Sequence, residues 1–544
     1  MKLARVAIFC LLAALAASSH AQAPRAAWNA DAGDGSYRNP ILHADYSDPD
    51  VIRVGDTYYM TASSFNSVPG LPLLSSKDMV NWSLVGHALP RLVPDAPFSQ
   101  PRYGEGVWAP CLRYHDGKFW IFYPDPDFGV YVMTAENFAG PWTAPHLLLP
   151  GKGIIDPTPL WDDDGKAWLL HAWARSRAGF NNVLTLRAMA PDGSRLLDEQ
   201  GKIVIDGNQL KGYRTLEGPK LYKQNGWYYV FAPAGGVEEG WQSVFRSRSI
   251  EGPYEVRIVL EQGATPVNGP HQGAWVRAQD GSDWFFHFQD RQAYGRIVHL
   301  QPMQWQDDWP LMGQAGNPVP QWRKPISGQP VTAPAAGDEF EGNRLGLQWQ
   351  WNANPRPGQY SLSARPGWLR LHTQAAPDDA VRRAASILTQ KLPAPAFTVD
   401  TRIELKSAAE GDRAGLIMNA LGAAWLGLRQ HAGRSQLVLA RCTVQSVSTK
   451  VPDPKVDTGS AALSCKEEVT TVLEEAPSAI FLRMRVEAGQ ASFFYSTDDR
   501  RYSPAGAAFA LTRGRWVGAQ MGLFSVGSKA GSGYADIDYF RVAP

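Results

Sequence analysis

Apolar and polar positions in roughly the first 320 residues fall into one recurring pattern, a polar turn followed by a run of aromatic and β-branched residues. It appears as Gly55-Asp56-Thr57-Tyr58-Tyr59-Met60, Asp116-Gly117-Lys118-Phe119-Trp120-Ile121, Asp164-Gly165-Lys166-Ala167-Trp168-Leu169, Asn225-Gly226-Trp227-Tyr228-Tyr229-Val230 and Asp280-Gly281-Ser282-Asp283-Trp284-Phe285. Four of these five copies open with Asp-Gly or Asn-Gly, which tolerate the positive φ of a two-residue type I′ turn. The runs after them suit strands, so each copy predicts a β-hairpin. Successive turn glycines stand 48 to 62 residues apart. A second signature, Asn81-Trp82, Gly140-Pro141-Trp142, Gly252-Pro253-Tyr254 and Asp308-Trp309-Pro310, fits an outer strand of the same unit. Units of about 50 residues with four strands each are what β-propeller blades look like. Five of them fill residues 37–318; an irregular β-sandwich with coincidental turns is the competing reading.

The second half changes character. Residues 319–336 are rich in Pro, Gly, Ala and Gln and read as a linker. Beyond them, segments 368–372, 397–405, 414–419, 479–486, 491–495 and 535–542 alternate with period 2, which predicts an all-β sandwich over residues 337–544. The expected fold class is therefore all-β, a five-bladed propeller followed by a sandwich.

Composition narrows the alternatives. Only 19% of the 544 residues are charged, while Gly 51, Pro 41, Trp 20, Tyr 19 and Phe 21 are plentiful, which excludes coiled coil and disorder. The net charge is +1 and no Lys/Arg-rich run occurs, so nucleic acid is not an expected partner. Residues 1–23 carry Lys2 and Arg5, an apolar stretch over 6–17 and a small-residue end at Ala21-Gln22-Ala23, the layout of a secretory signal. An uncleaved anchor is the weaker reading, because that stretch falls short of the ~20 apolar residues a bilayer span needs. The expectation is an exported protein, periplasmic or extracellular, with residues 24–36 as a lead-in and no membrane association after cleavage. Nothing in the residues speaks to oligomeric state. Export permits disulfides, and Cys442 with Cys465 is the expected pair. Cys111, inside an apolar run, reads as a buried small hydrophobe rather than a nucleophile.

Chemistry enters through the phase of the repeat. Asp48 lies 7 residues before Gly55, Trp108 9 before Gly117, Asp156 9 before Gly165, Glu217 9 before Gly226 and His271 10 before Gly281. Equivalent positions in equivalent blades point the same way, so this spacing gathers two Asp, one Glu, one His and one Trp at the axis. Carboxyls converging in a concave site raise one another's proton affinity, so one can stay protonated near neutral pH. Acetal hydrolysis needs that pairing: one acid protonates the leaving oxygen while another carboxylate activates water or attacks. Singly, each acid could merely cap a turn, His271 could be a satisfied core histidine and Trp108 a core aromatic. Asp162-Asp163-Asp164-Gly165 resembles a calcium loop, but it sits in a hairpin phase and lacks a downstream Glu, so it reads as a plain turn.

Tyr37-Arg38-Asn39-Pro40, Ser47-Asp48-Pro49-Asp50, Trp108-Ala109-Pro110, Ile155-Asp156-Pro157, Leu216-Glu217-Gly218-Pro219 and Gly295-Arg296, in this order, resemble glycoside hydrolase family 43. The resemblance implies an inverting hydrolase with Asp48 as general base, Glu217 as general acid, and Asp156 as pKa modulator and orienting group. It also implies a glycone pocket lined by Phe65, Trp108, His271 and Arg296. No cofactor is required and no metal ligand set is expected, although the resemblance allows a Ca²⁺ or other ion near the axis at His271. Inversion would set the Asp48 and Glu217 carboxyls about 6.5 to 9.5 Å apart.

Asp338-Glu339-Phe340, Gly522-Leu523-Phe524 and Ala535-Asp536-Ile537-Asp538-Tyr539-Phe540 are similar to the concanavalin A-like C-terminal domain of family 43 β-xylosidases. In those relatives a loop of this domain closes the pocket mouth, and residues 514–524 are the candidates here. An independent carbohydrate-binding module and a purely stabilising domain are the alternatives. The function that follows is exo-hydrolysis of terminal β-D-xylosyl or α-L-arabinofuranosyl units from hemicellulose-derived oligosaccharides. Another terminal sugar, or a propeller lectin without catalysis, remains open. The invertase-like hydrolases share the architecture but retain configuration, and their Asn-Asp-Pro-Asn, Arg-Asp-Pro and Glu-Cys signatures are missing.

Overall fold

The structure is a computed structural model that describes residues 26–376, 380–444 and 465–544; the expected signal segment lies outside the described residues. Five four-stranded antiparallel sheets, each in simple sequential order, form the propeller. Their innermost strands are Asp50–Val54, Cys111–His115, Ile154–Trp161, Lys220–Gln224 and His271–Arg277, and their outermost are Trp82–Leu89, His146–Pro150, Lys202–Asp206, Glu255–Leu260 and Trp309–Met312. Each Gly-containing hairpin joins the innermost strand of a blade to its neighbour, as the repeat predicted. The turns are not all alike, however. Asp116-Gly117 and Asn225-Gly226 form two-residue turns with both φ values positive. In the third and fifth blades, five residues intervene, between Trp161 and Ala167 and between Arg277 and Asp283, where the Asp-Gly dipeptide sits inside a longer loop. The Trp/Tyr signatures stand at or just before the entry to an outermost strand in four blades.

Among the described residues no strand is shared between the first and last blades. The ring is tied by the lead-in instead: Ser36–Arg38 pairs with Gln321–Arg323, Leu42 bridges Val298, and the Tyr37 hydroxyl donates to the Leu300 carbonyl at 2.8 Å. The segment read as linker thus begins with a strand. Lys324 follows it into a buried position, paired with Asp31 and Asp78 at 2.5 and 2.9 Å.

The second domain packs two antiparallel-rich sheets of eight strands face to face. One sheet centres on Gln520–Gly527 and Arg413–Asn419, the other on Tyr534–Ala543 and Phe397–Lys406. One apolar core runs from the first two blades, through Val68, Leu73 and Leu112, into the sandwich at Trp351, Leu388 and Met521. Val68 even forms a backbone bridge to Trp351. The two domains are therefore held by core packing, and a loop of one can be placed accurately against the other. Cys442 is disulfide-bonded, while the Cys465 side chain lies outside the described residues. Cys111 is fully buried; burial pushes its thiol up to about 11, away from nucleophilic use.

Candidate active site

Four of the five phase-matched residues stand at or just before the start of an innermost strand, and Asp156 is the third residue of its strand, all at one end of the axis. Asp48 and Asp156 are both in the left-handed backbone region, with φ 55° and 54°. That conformation costs a non-glycine residue about 1 kcal/mol or more, and it turns both carboxyls off the strand direction. Asp48 is 4% exposed and heavily coordinated: its Oδ2 accepts from the Ser63 hydroxyl at 2.5 Å and the Ser47 hydroxyl at 2.7 Å. Arg296 Nη1 donates to its Oδ1 at 3.1 Å and to Ser47 Oγ at 2.9 Å. A carboxylate fixed by a guanidinium and two hydroxyls is preorganised, which suits a base.

Asp156 has no such cation. It accepts from the Gly218 N–H at 2.7 Å and from Gln272 Nε2 at 3.3 Å. Burial, reinforced by the neighbouring Glu217 charge, raises its pKa to about 7. Glu217 is more open, with its side chain 27% exposed, and its Oε1 lies 3.1 Å from His271 Nε2. One carboxyl is thus clamped, one is buried and proton-holding, and one is reachable from solvent.

Aromatic rings wall this end of the axis. Phe65 and Trp108 rings are 6.2 Å apart, and the backbones of Phe65 and Val107 bridge directly. Gly106 permits that approach, because a Cβ there would stand 2.5 Å from the Phe65 carbonyl oxygen. Phe288 lies under both His271 (ring centroids 5.5 Å) and Arg296 (guanidinium 4.9 Å from the ring). From the second domain the segment 513–519 reaches this mouth. Trp516, 46% exposed, sets its ring 6.1 Å from Trp108, and Gly104 packs against Arg515. Residues 37–310 match glycosyl hydrolases family 43, and residues 337–543 match the beta xylosidase C-terminal concanavalin A-like domain.

The chain belongs to glycosyl hydrolase family 43. It is 33% identical over 580 residues to a beta-xylosidase of Formosa agariphila, covering 96% of this chain and 92% of that one. It is 32% identical over 419 residues to a non-reducing end alpha-L-arabinofuranosidase of Bacteroides ovatus, covering 71% and 74%. Among solved structures, xylan beta-1,4-xylosidase from Bacillus halodurans superposes with TM-score 0.80 at 25% identity, covering 93% of this chain and all of that one. This glycoside hydrolase thus carries the family's two-domain build, and the family hydrolyses with inversion.

All seven residues singled out from the family 43 motifs and the repeat converge at this end. Several of their supports were not foreseen. Gln272 sits beside His271 in sequence and could have been read from that adjacency; Ser63, Phe288 and Asp45 carry no local signal. Family members generally need no cofactor. At His271 the Nδ1 atom is buried without a protein partner, so it is one available donor for an ion or a water. Among the described residues no group of three or more His, Cys, Asp or Glu is placed to hold a metal. The Asp162-Asp163-Asp164 stretch is a hairpin loop whose first two acids are answered by Lys223 and, for Asp162 at 2.6 Å, by the Tyr228 hydroxyl, while Asp164 pairs with Lys166 at 2.7 Å.

Proposed function

We propose that this family 43 enzyme removes terminal β-D-xylosyl or α-L-arabinofuranosyl units from the ends of hemicellulose-derived oligosaccharides, and that the chain is exported under direction of residues 1–23. The observation that carries the reading is the division of labour among three carboxyls at one end of the axis: Asp48 clamped by Arg296, Asp156 holding a proton up to about 7, and Glu217 facing the solvent-accessible mouth. Glu217 as general acid passes its proton to the glycosidic oxygen as the C1–O bond breaks. Asp48 as general base takes a proton from a water whose oxygen bonds to C1 from the opposite face, which inverts the anomeric centre. Asp156 is the proposed pKa modulator of the site, through its electrostatic interaction with Glu217, and it orients the sugar.

Phe65, Trp108, His271 and Arg296 are the proposed lining of the sugar pocket. An ion at His271 Nδ1 would complete its shell with water and fix the tautomer that presents Nε2–H to Glu217; no step depends on it. Trp516 at the mouth supports action on chain ends, since it narrows the space beyond Trp108. The names of the relatives support both pentosyl groups. The two sugars differ by ring form, and pocket shape separates such differences at about 1 to 3 kcal/mol.

The test is the rate on p-nitrophenyl β-D-xylopyranoside and α-L-arabinofuranoside, with the first-formed anomer read by NMR. Turnover of at least one with inverted product is expected. Retained product would overturn the mechanism, and inactivity on both would overturn the pentosyl assignment in favour of another terminal sugar or a lectin.

A further inference from the structure

We propose that Asp45 is a positioning residue through which the sandwich domain sets the geometry of the Asp48 base, an inference that rests on the base assignment above. Asp45 is buried at 7% exposure, three residues before Asp48 on the same loop. Its two carboxylate oxygens face different domains. Oδ1 accepts the Arg296 backbone N–H at 3.0 Å, and Oδ2 accepts the Gly518 backbone N–H of the sandwich at 2.8 Å. Arg296 is consequently held at both ends by one loop, its backbone by Asp45 and its guanidinium by Asp48 and Ser47.

The contact is tight on every side. A Cβ at Gly295, where φ is +77°, would stand 2.4 Å from the Asp45 carboxyl carbon, and a Cβ at Gly518 would stand 2.6 Å from the Gly295 nitrogen. Beside it the Ala519 N–H donates to the Ala293 carbonyl at 2.7 Å. Two glycines thus let the sandwich backbone lie directly on the turn that carries Arg296. A carboxylate is the side chain that suits this place, because it accepts from both N–H groups at once. An amide in the same shape would accept one and present its own N–H₂ to the other. The sandwich domain therefore reaches the base through Gly518, Asp45 and Arg296, a route separate from Trp516 at the mouth.

The test is a double-mutant cycle on the full chain, scored as kcat on the preferred p-nitrophenyl glycoside per folded molecule. Asp45→Asn is expected to lower kcat by about 10- to 100-fold, the scale of a sub-ångström to 1 Å misplacement of a reacting group. In an Arg296→Lys background the same change should cost less than about 2-fold, because its route is already broken. Gly518→Ala, placed in the other domain, should lower kcat in the same direction and supplies the measurement if Asp45→Asn folds poorly. Equal losses with and without Arg296→Lys, or an unchanged kcat in both Asp45→Asn and Gly518→Ala, would overturn the proposal, since a merely structural Asp45 lowers thermal stability without that non-additivity. Asp48→Asn reports on the base itself: activity retained there removes the base assignment, whereas an inactive Asp48→Asn beside an unaffected Asp45→Asn removes only the coupling.

Discussion

Asp50 and Asp156 stand on innermost strands of the same propeller and both are buried, yet their surroundings differ in charge. Asp50 Oδ2 accepts from the Leu112 N–H at 2.6 Å and Arg113 Nη1 at 3.0 Å, with Lys220 Nζ 3.3 Å away. Those partners come from the second and fourth blades, so the carboxylate pins three blades together. Arg113 extends the network to the third blade through Thr158 at 3.1 Å. Asp156 receives one N–H and one amide, no cation, and faces two further carboxyls. Burial alone therefore does not mark a catalytic acid. Asp50, answered by cations from two other blades, is a structural fastening, and Asp156, buried among like charges, stores a proton.

The comparison can be broken at each point. The largest effect is expected at the site: Glu217→Gln should lower kcat/KM by about 10³- to 10⁴-fold with an unfolding temperature close to wild type. A similar loss accompanied by unfolding would place Glu217 with the fastenings instead. Next, Asp50→Asn should destabilise the protein by about 3 kcal/mol in denaturant unfolding, because Lys220 and Arg113 are left buried without their counter-charge. A stable variant with lowered activity would erase the distinction.

The smallest effect depends on pH. The Asp156 carboxyl holds its proton up to about 7, well above the unfolded value near 3.9, so between those values the native state binds more protons than the unfolded one. Stability from this group accordingly falls as pH rises from about 4 to 7 and then levels. Asp156→Asn removes the dependence, so its unfolding temperature at pH 8 relative to pH 5 should exceed that of wild type by about 2 to 4 °C. Parallel curves would show that Asp156 is compensated as Asp50 is.

The sandwich shows why some strands are legible and others are not. Phe397–Lys406 and Ala479–Glu487 belong to the sheet that leaves one face to solvent, and burial alternates residue by residue from Phe397 to Arg402 and along the whole of the second strand. Period-2 reading found both within a residue or two. Ala424–Leu428 and Met521–Gly527 are continuously buried stretches in the sheet whose outer face is also covered, so their burial shows no alternation and neither strand was read, although 414–419 in the same sheet was. In the propeller Asp-Gly or Asn-Gly turns marked four of the five inner hairpins and Gly55-Asp56 the other, but loop length at Trp161–Ala167 and Arg277–Asp283 was set by pairing register, which the dipeptide does not encode.

By itself the sequence determined the blade repeat, the turn positions and the common phase of Asp48, Trp108, Asp156, Glu217 and His271, because a repeat converts fixed spacing along the chain into a shared direction in space. Tertiary structure alone decided which carboxyl is compensated. Arg296 reaches Asp48 across 248 positions, and Lys220 reaches Asp50 rather than Asp156 although all three lie in comparable stretches of their blades. It also decided that Gly518 meets Asp45 across 473 positions. Charge pairing depends on distances of a few ångström between chain segments far apart in sequence, and only the packed blades and the sandwich docked on them set those distances.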